Sequence, residues 1–294
     1  MSFHTVGRLG GISAAAKHLG MAKSGVSRHI AQLEAHFGVR LLERNARAVR
    51  LTPVGVRLGQ RVQSILAEVN LLTDIVQEES VAVTGHVSVA ATPEFGRRVA
   101  TKFFPLVRER YPLLTLAMHP AYEFEDMQDP GTDIAFRVGS AHDDRLVARK
   151  MGAFRCWVVA APEVAHEHGV ERPNDLALVP CLPFRGNSAS AQWTLFGADG
   201  TIAIDVSGVY AVRSLTILYE LALEGRGFAL LPDFMVEPAI DTGALVRVLP
   251  DYVSKPFPVF LTFRPGARRI ARIDATLKVA EDVVPSLLSE PPDA

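Results

Sequence analysis

Between Lys23 and His29 the chain sets a lysine, two serines, an arginine and a histidine around Gly25 and Val26. Cations and small hydroxyls crowded this way suit hydrogen bonding and charge pairing with a polyanion. The charge balance points the same way. Residues 1–61 carry ten lysines and arginines against two acids, Glu34 and Glu43, on a chain whose net charge is −1. A basic head on an acidic body is the electrostatic footprint of nucleic-acid binding.

Catalytic constellations are weaker. The stretch GNSAS, 186–190, has Ser190 where a nucleophile elbow has its second glycine. His166 and His168 stand on different helix faces, unlike the i, i+4 pair that grips zinc. AHDDR, 141–145, reads as a solvated loop, and no glycine-rich phosphate loop occurs. Neither an enzyme nor a cofactor is expected. Cys156 and Cys181 are expected as buried free thiols, and a thiol-based redox sensor using them is the alternative reading. No long apolar run marks an export signal or membrane span, so a cytoplasmic location is expected.

The elements that must position these residues are legible in the periodicity. Phe3, Val6 and Leu9 form a short helical stripe that stops at Gly10-Gly11. Ser13 is expected to cap a second helix, which runs through Leu19 and stops at Gly20. Val26, Ile30, Leu33 and Phe37 define one face of a third helix ending at Gly38. Residues 40–52 predict an arginine-rich hairpin with Arg47, Val49 and Leu51 on one face. Thr52-Pro53 is a strong helix start. From there Leu58, Val62, Ile65, Val69, Leu72 and Val76 recur as a heptad seam, which predicts pairing with a second copy.

After Gly85 the texture changes. Strands are expected at 86–91, 113–118, 133–139, 154–162, 178–184, 228–232, 244–250 and 259–266. Helices are expected at 97–111, 215–225 and 268–284, the first kinked or broken by Pro105. Such alternation predicts parallel sheets of the open α/β kind.

With these elements in place, GISAAAKHLGMAKSGVSRHIAQLEAHFGVRLLERNARAVRLTPVG, residues 11–55, resembles the winged helix-turn-helix of the LysR-type transcriptional regulators. The carriers are the small residues before Gly20, Val-Ser-Arg, Leu-Glu, Phe-Gly, Leu-Leu-Glu-Arg and Leu-Thr-x-x-Gly. TPEFGRR, DIAFRVG, LVARKMG and GRGFALLP stand where that family has comparable effector-domain segments. The resemblance implies an α/β multidomain chain: a winged helix-turn-helix over 1–52, a linker and dimerisation helix over 53–84, and an effector domain over 85–294. The last would have a two-subdomain, periplasmic-binding-protein-like architecture of type 2. Subdomain I would span about 85–161 and 262–288, and subdomain II about 162–261. The first helix is shorter than the family's, so either the start codon is expected upstream or the helix is clipped and the domain weaker. Gly25 stands where the family has alanine or proline, and His29 where it has glutamine.

The resemblance places the helix from Lys23 in a DNA major groove, where small residues let its N-terminal end approach the bases. Lys23, Ser24 and His29 are then expected at base edges, Ser27 and Arg28 at phosphates, with Ser13 and Gly25 in the same interface. Arg44, Arg47 and Arg50 on the wing would meet phosphates or the minor groove. The partners implied are double-stranded promoter DNA and further copies of the chain as a homodimer or homotetramer; contact with RNA polymerase is left open. A two-lobed α/β body holds its ligand beyond the strand ends, between the lobes. Thr92, Glu94 and Phe95 open one helix there, Arg213 and Ser214 the facing one. Arg137 is a candidate carboxylate partner, and Pro183 and Phe184 candidate walls. The expected effector is a small metabolite, carboxylated or aromatic, although Glu94 opposes a simple anion.

Overall fold

The computed structural model describes residues 2–45, 48–59, 61–62, 65, 83–121, 131–139, 145–184, 190–198, 200–210 and 212–290. Arg47, Val69, Leu72 and Val76 lie outside them, as do the side chain of Arg44, most of GNSAS and most of AHDDR. The chain divides into two compact units, Met1–Val81 with Gln128–Thr132, and Ala82–Met127 with Asp133–Ala294. Among the described residues no helix is long and apolar enough to cross a membrane.

The head begins with α1 (Ser2–Leu9), α2 (Ile12–Leu19) and α3 (Lys23–Phe37). A hairpin of β1 (Leu42–Asn45) and β2 (Ala48–Leu51) follows, then α4 from residue 53. Its core is Phe3, Val6, Ile12, Ala15, Ala16, Val26, Ile30, Leu41 and Leu42. The small side chains of Ala15 and Ala16 are buried, whereas Ala14 is exposed. Gly20 adopts φ +62°, and Met21 N–H donates to the Ala16 carbonyl at 3.0 Å. That left-handed residue ends α2 and turns the chain toward α3. Ser13 is not the N-cap of α2. Gly11 is, so Ser13 sits inside the helix on its exposed side.

The body starts with β3 (Gly85–Ala91), α5 (Pro93–Arg110), β4 (Leu114–Pro120), β5 (Ile134–Val138) and β6 (Val147–Phe154). The chain then enters β7 (Cys156–Ala160), α6 (Pro162–His168), β8 (Cys181–Leu182), β9 (Ser190–Gly197) and β10 (Gly200–Ser207). After these come α7 (Leu215–Leu223), β11 (Phe228–Pro232), α8 (Asp233–Asp241), β12 (Val246–Val248), β13 (Phe257–Phe263) and α9 (Ala271–Val283). Pro105 does not break α5. It faces solvent, so the backbone carbonyl it leaves unbonded can be hydrated.

Two sheets organise the body. The first has the order β4-β3-β5-β13-β6, the second β12-β7-β11-β8, and β9 pairs with β10 as a separate hairpin. Both main sheets are mixed, not parallel as the alternation predicts. β13 runs antiparallel to β5 and β6, and β7 antiparallel to β11 and β12. The cause is the double passage of the chain between sheets: each crossing delivers a strand from the opposite direction. Since β7 lies in the second sheet and β13 in the first, the crossings fall at Arg155 and at 254–256, ahead of the expected 161 and 262.

Those crossings are tied together. Arg155 N–H donates to Asp233 Oδ2 at 3.1 Å, and Asp233 N–H donates to the Arg155 carbonyl at 2.8 Å. Ser254 Oγ accepts from Cys156 N–H at 2.8 Å, and Arg155 Nη1 donates to the Ser254 carbonyl at 3.0 Å. Glu290 adds to the same junction, exchanging backbone bonds with Ala153 and pairing with Arg155 Nε. Gly152, at φ +137°, leaves room for it: a Cβ there would stand 2.4 Å from the Glu290 carbonyl oxygen.

Candidate functional site

On α3, Val26 and Ile30 are fully buried, which turns the opposite side outward. Ser24 and Arg28 lie on that outer side and are exposed, as is Lys23; Ser27 is half-buried at its margin. The N-cap, Ala22, has no side-chain hydrogen bond to spend, so the first amides of α3 face outward uncapped by a side chain. His29 is exposed but committed at one ring nitrogen: Ser2 Oγ lies 2.9 Å from its Nδ1, joining the start of α1 to α3. Ser13 and Arg50 are also exposed.

Gly25 has no backbone need for glycine. A Cβ there would meet only Met21 Cε at 3.5 Å, an ordinary contact. Gly25→Ala is therefore expected to stabilise the head by about 0.5–1 kcal/mol through helix propensity. Urea unfolding followed by circular dichroism measures this; a loss of stability would show that the position is sterically closed.

The wing is held by a residue that sequence reasoning did not single out. Glu34 Oε1 accepts from Leu41 N–H at 2.7 Å and Leu42 N–H at 3.1 Å, fixing the entry of β1 onto α3. Its sequence signals are that it is one of two carboxylates in a basic segment and that it sits in the Leu-Glu pair of the family resemblance, neither of which points to the wing. Below the wing, Thr52 Oγ1 accepts from Gly55 N–H at 3.0 Å and donates to the Arg40 carbonyl at 2.9 Å. Gly55 packs so close that a Cβ would lie 2.2 Å from the Leu41 carbonyl oxygen. Beyond it the seam divides. Leu58 packs against the head's own core, whereas Ile65 is 57% exposed.

In the body, the two helix starts expected to face each other are in contact. Thr216 Oγ1 on α7 donates to Glu94 Oε1 on α5 at 3.4 Å. Glu94 is 7% exposed. Ser214 caps α7, accepting from Ile217 N–H at 3.3 Å, while Thr92, at the N-cap of α5, makes no capping bond. Phe95 belongs to the core, packed edge-to-face on Phe136 and Phe234, and is not presented at a surface. Arg137 is also buried, on β5 opposite Phe260 of β13. Pro183 is buried, Phe184 is 50% exposed beside Val212, and Arg213 is exposed. Thr216 is the contact that sequence reasoning missed.

Cys156 and Cys181 are both buried and free. Burial pushes both thiols up, from an ordinary 9.0 to about 12. They cannot pair in place. β11 lies between their strands, two strand spacings make about 10 Å, and a disulfide spans at most about 7 Å between Cα atoms. Below pH 9 both states of the protein keep these thiols protonated. Above it only the unfolded chain ionises, so the stabilisation fades as pH rises toward 12. Melting points are expected to fall more steeply above about pH 9 than in a Cys156→Ala/Cys181→Ala variant, by up to about 1.4 kcal/mol per pH unit per thiol. Equal slopes, or a rapid mass gain in mild peroxide, would restore the redox reading.

Comparison with known proteins covers both units. Residues 1–56 match the family model described as bacterial regulatory helix-turn-helix protein, lysR family, and residues 81–285 match the LysR substrate binding domain. The transcriptional regulator DmlR of Escherichia coli (strain K12) is 31% identical over 252 residues, spanning 85% of this chain and 82% of its own. CrgA of Neisseria meningitidis serogroup C (strain 8013) is 33% identical over 260 residues, spanning 83% and 82%. A solved structure of CrgA from Neisseria meningitidis, described as a LysR-type transcriptional regulator, has a TM-score of 0.61 at 28% identity and covers 97% of each chain.

Proposed function

The chain belongs to the LysR family of DNA-binding transcriptional regulators, and we propose that it reads paired half-sites as an oligomer and answers to a small effector held between its lobes. The observation that carries the DNA-reading part is the outward face of α3, where exposed Lys23, Ser24 and Arg28 meet the charge surplus of the head. Short side chains at the start of that helix suit close approach to base edges. Ser24 and Lys23 are assigned to bases, Arg28 and Arg50 to phosphates. The protein works where its DNA is, in the cytoplasm.

Pairing of two heads would supply the two-fold symmetry that a pseudo-palindromic operator mirrors. Ile65 supports that pairing, as an exposed apolar residue at a heptad position of the sequence. The effector acts by binding one arrangement of the oligomer better than another, which is the only way a ligand moves such an equilibrium.

Arg28→Ala tests the orientation of α3. It is expected to weaken binding to all duplexes, and to lower the slope of log affinity against log salt by about one. Fluorescence anisotropy across a salt series measures both. Unchanged affinity throughout would mean that α3 presents another face.

A further inference from the structure

Glu94 is a carboxylate buried within a protein site that the family resemblance would reserve for a small ligand. It is 7% exposed, and its hydrogen-bond partner among the described residues is the Thr216 hydroxyl, at the long distance of 3.4 Å. That bond reaches from the start of α5 to the start of α7. A neutral hydroxyl satisfies one acceptor site of a group that has about four. Arg98, one turn further along α5, has its Nε buried without a hydrogen-bond partner.

The surroundings reinforce the imbalance. Thr92, half-buried at the N-cap, keeps its hydroxyl out of the capping role, whereas Ser214 at the start of α7 is spent on its own helix. An incoming carboxylate would face the Glu94 carboxylate at the start of α5. A group that donates hydrogen bonds and carries positive charge would instead complete the carboxylate, with the Thr92 oxygen as a further acceptor.

We infer that the effector presents a protonated amino group to Glu94, between the N-termini of α5 and α7. This deepens the effector reading given above and rests on it. Glu94 is then the specificity-determining residue, and free mono- and dicarboxylates without an amine are excluded. The ligand's ammonium displaces the Thr216 hydroxyl from Oε1 or takes the second oxygen, and either arrangement changes one of the contacts between the lobes.

The test is thermal melting of the full-length protein with matched probes at millimolar concentration: putrescine, γ-aminobutyrate and succinate on one skeleton, benzylamine, benzyl alcohol and benzoate on another. An amine-bearing probe is expected to raise the midpoint while succinate and benzoate do not. Glu94→Gln keeps the shape and removes the charge, and should weaken the amine by at least about tenfold. No shift from any amine, or a larger shift from the acids, overturns the inference. An amine shift that survives Glu94→Gln but is lost in Thr92→Val removes Glu94 from the site and leaves the cleft standing. One that survives both variants sinks the cleft reading itself. Should Glu94→Gln fail to fold, the wild-type ranking of amines against acids still decides.

Discussion

Ile65→Asp is expected to halve the particle mass measured by light scattering, or to weaken self-association by at least about a thousandfold. Ile65 is 57% exposed, a large apolar surface for one side chain of a helix to leave in water. In a pair of helices it would occupy a seam position, and each copy of the variant would bury an unpaired carboxylate there. The head itself should stay folded, because among the described residues its core includes Leu58 and not Ile65. Ile65→Val supplies the control: it keeps the apolar surface and should keep the mass. An unchanged mass for Ile65→Asp would place the pairing surface elsewhere.

Glu34→Ala carries the second large effect. Two backbone donors, Leu41 N–H and Leu42 N–H, end on one carboxylate oxygen. Removing it leaves both without their partner at the edge of the core, at a cost of about 3 kcal/mol. For a unit of this size that lowers the melting point by on the order of 15 °C. DNA affinity should fall with it, since the wing loses its anchor on α3. Glu34→Gln separates geometry from charge. Both bonds use the same oxygen, which the amide retains, so this variant should lose less than half as much. Equal losses for alanine and glutamine would mean that the charge, and not the two bonds, holds the wing.

Much of the head was legible because its signals are local. Val26 and Ile30 mark the buried side of α3, Gly20 and Gly38 take the left-handed conformation that stops a helix, and Thr52 caps as its position before Pro53 predicts. The seam was only half legible. A heptad pattern does not say which copy a side chain packs against, and Leu58 turns back onto its own core. In the body, β6 escaped notice because its first four residues are exposed and its last four buried, without alternation. The hairpin of β9 and β10 had its signal in Trp193, Leu195, Ile204 and Val206, all buried at alternate positions, yet went unassigned. α8 was hidden by Pro238 and by an acidic start at Asp233. Strand direction belongs to no window of sequence, because it depends on where the chain changes sheets.

The candidate effector site shows the same divide. Thr92, Glu94 and Ser214 were recognisable as helix starts, each from its own neighbours. That Glu94 would be buried, and met by Thr216 from 122 residues away, was not. That Phe95 would pack into the core against Phe136 and Phe234 was not legible either, because an aromatic one turn into a helix looks alike whether it lines a site or fills a core.

The place of β13 sets a timetable for the newborn chain. It lies between β5 and β6 in the first sheet, yet it follows β5 by the whole of the second lobe, starting at Phe257 where β5 ended at Val138. At ordinary rates of synthesis the ribosome takes on the order of ten seconds to cover that stretch. Throughout that interval β5 and β6 expose the edges that β13 will cover, and unpaired edges recruit other strands. The first lobe is thus a late product of its own gene, and no contiguous early fragment contains it. A cell that stalls within the second lobe releases a sheet with its middle strand missing, a species suited to aggregation or to proteolysis rather than to partial function.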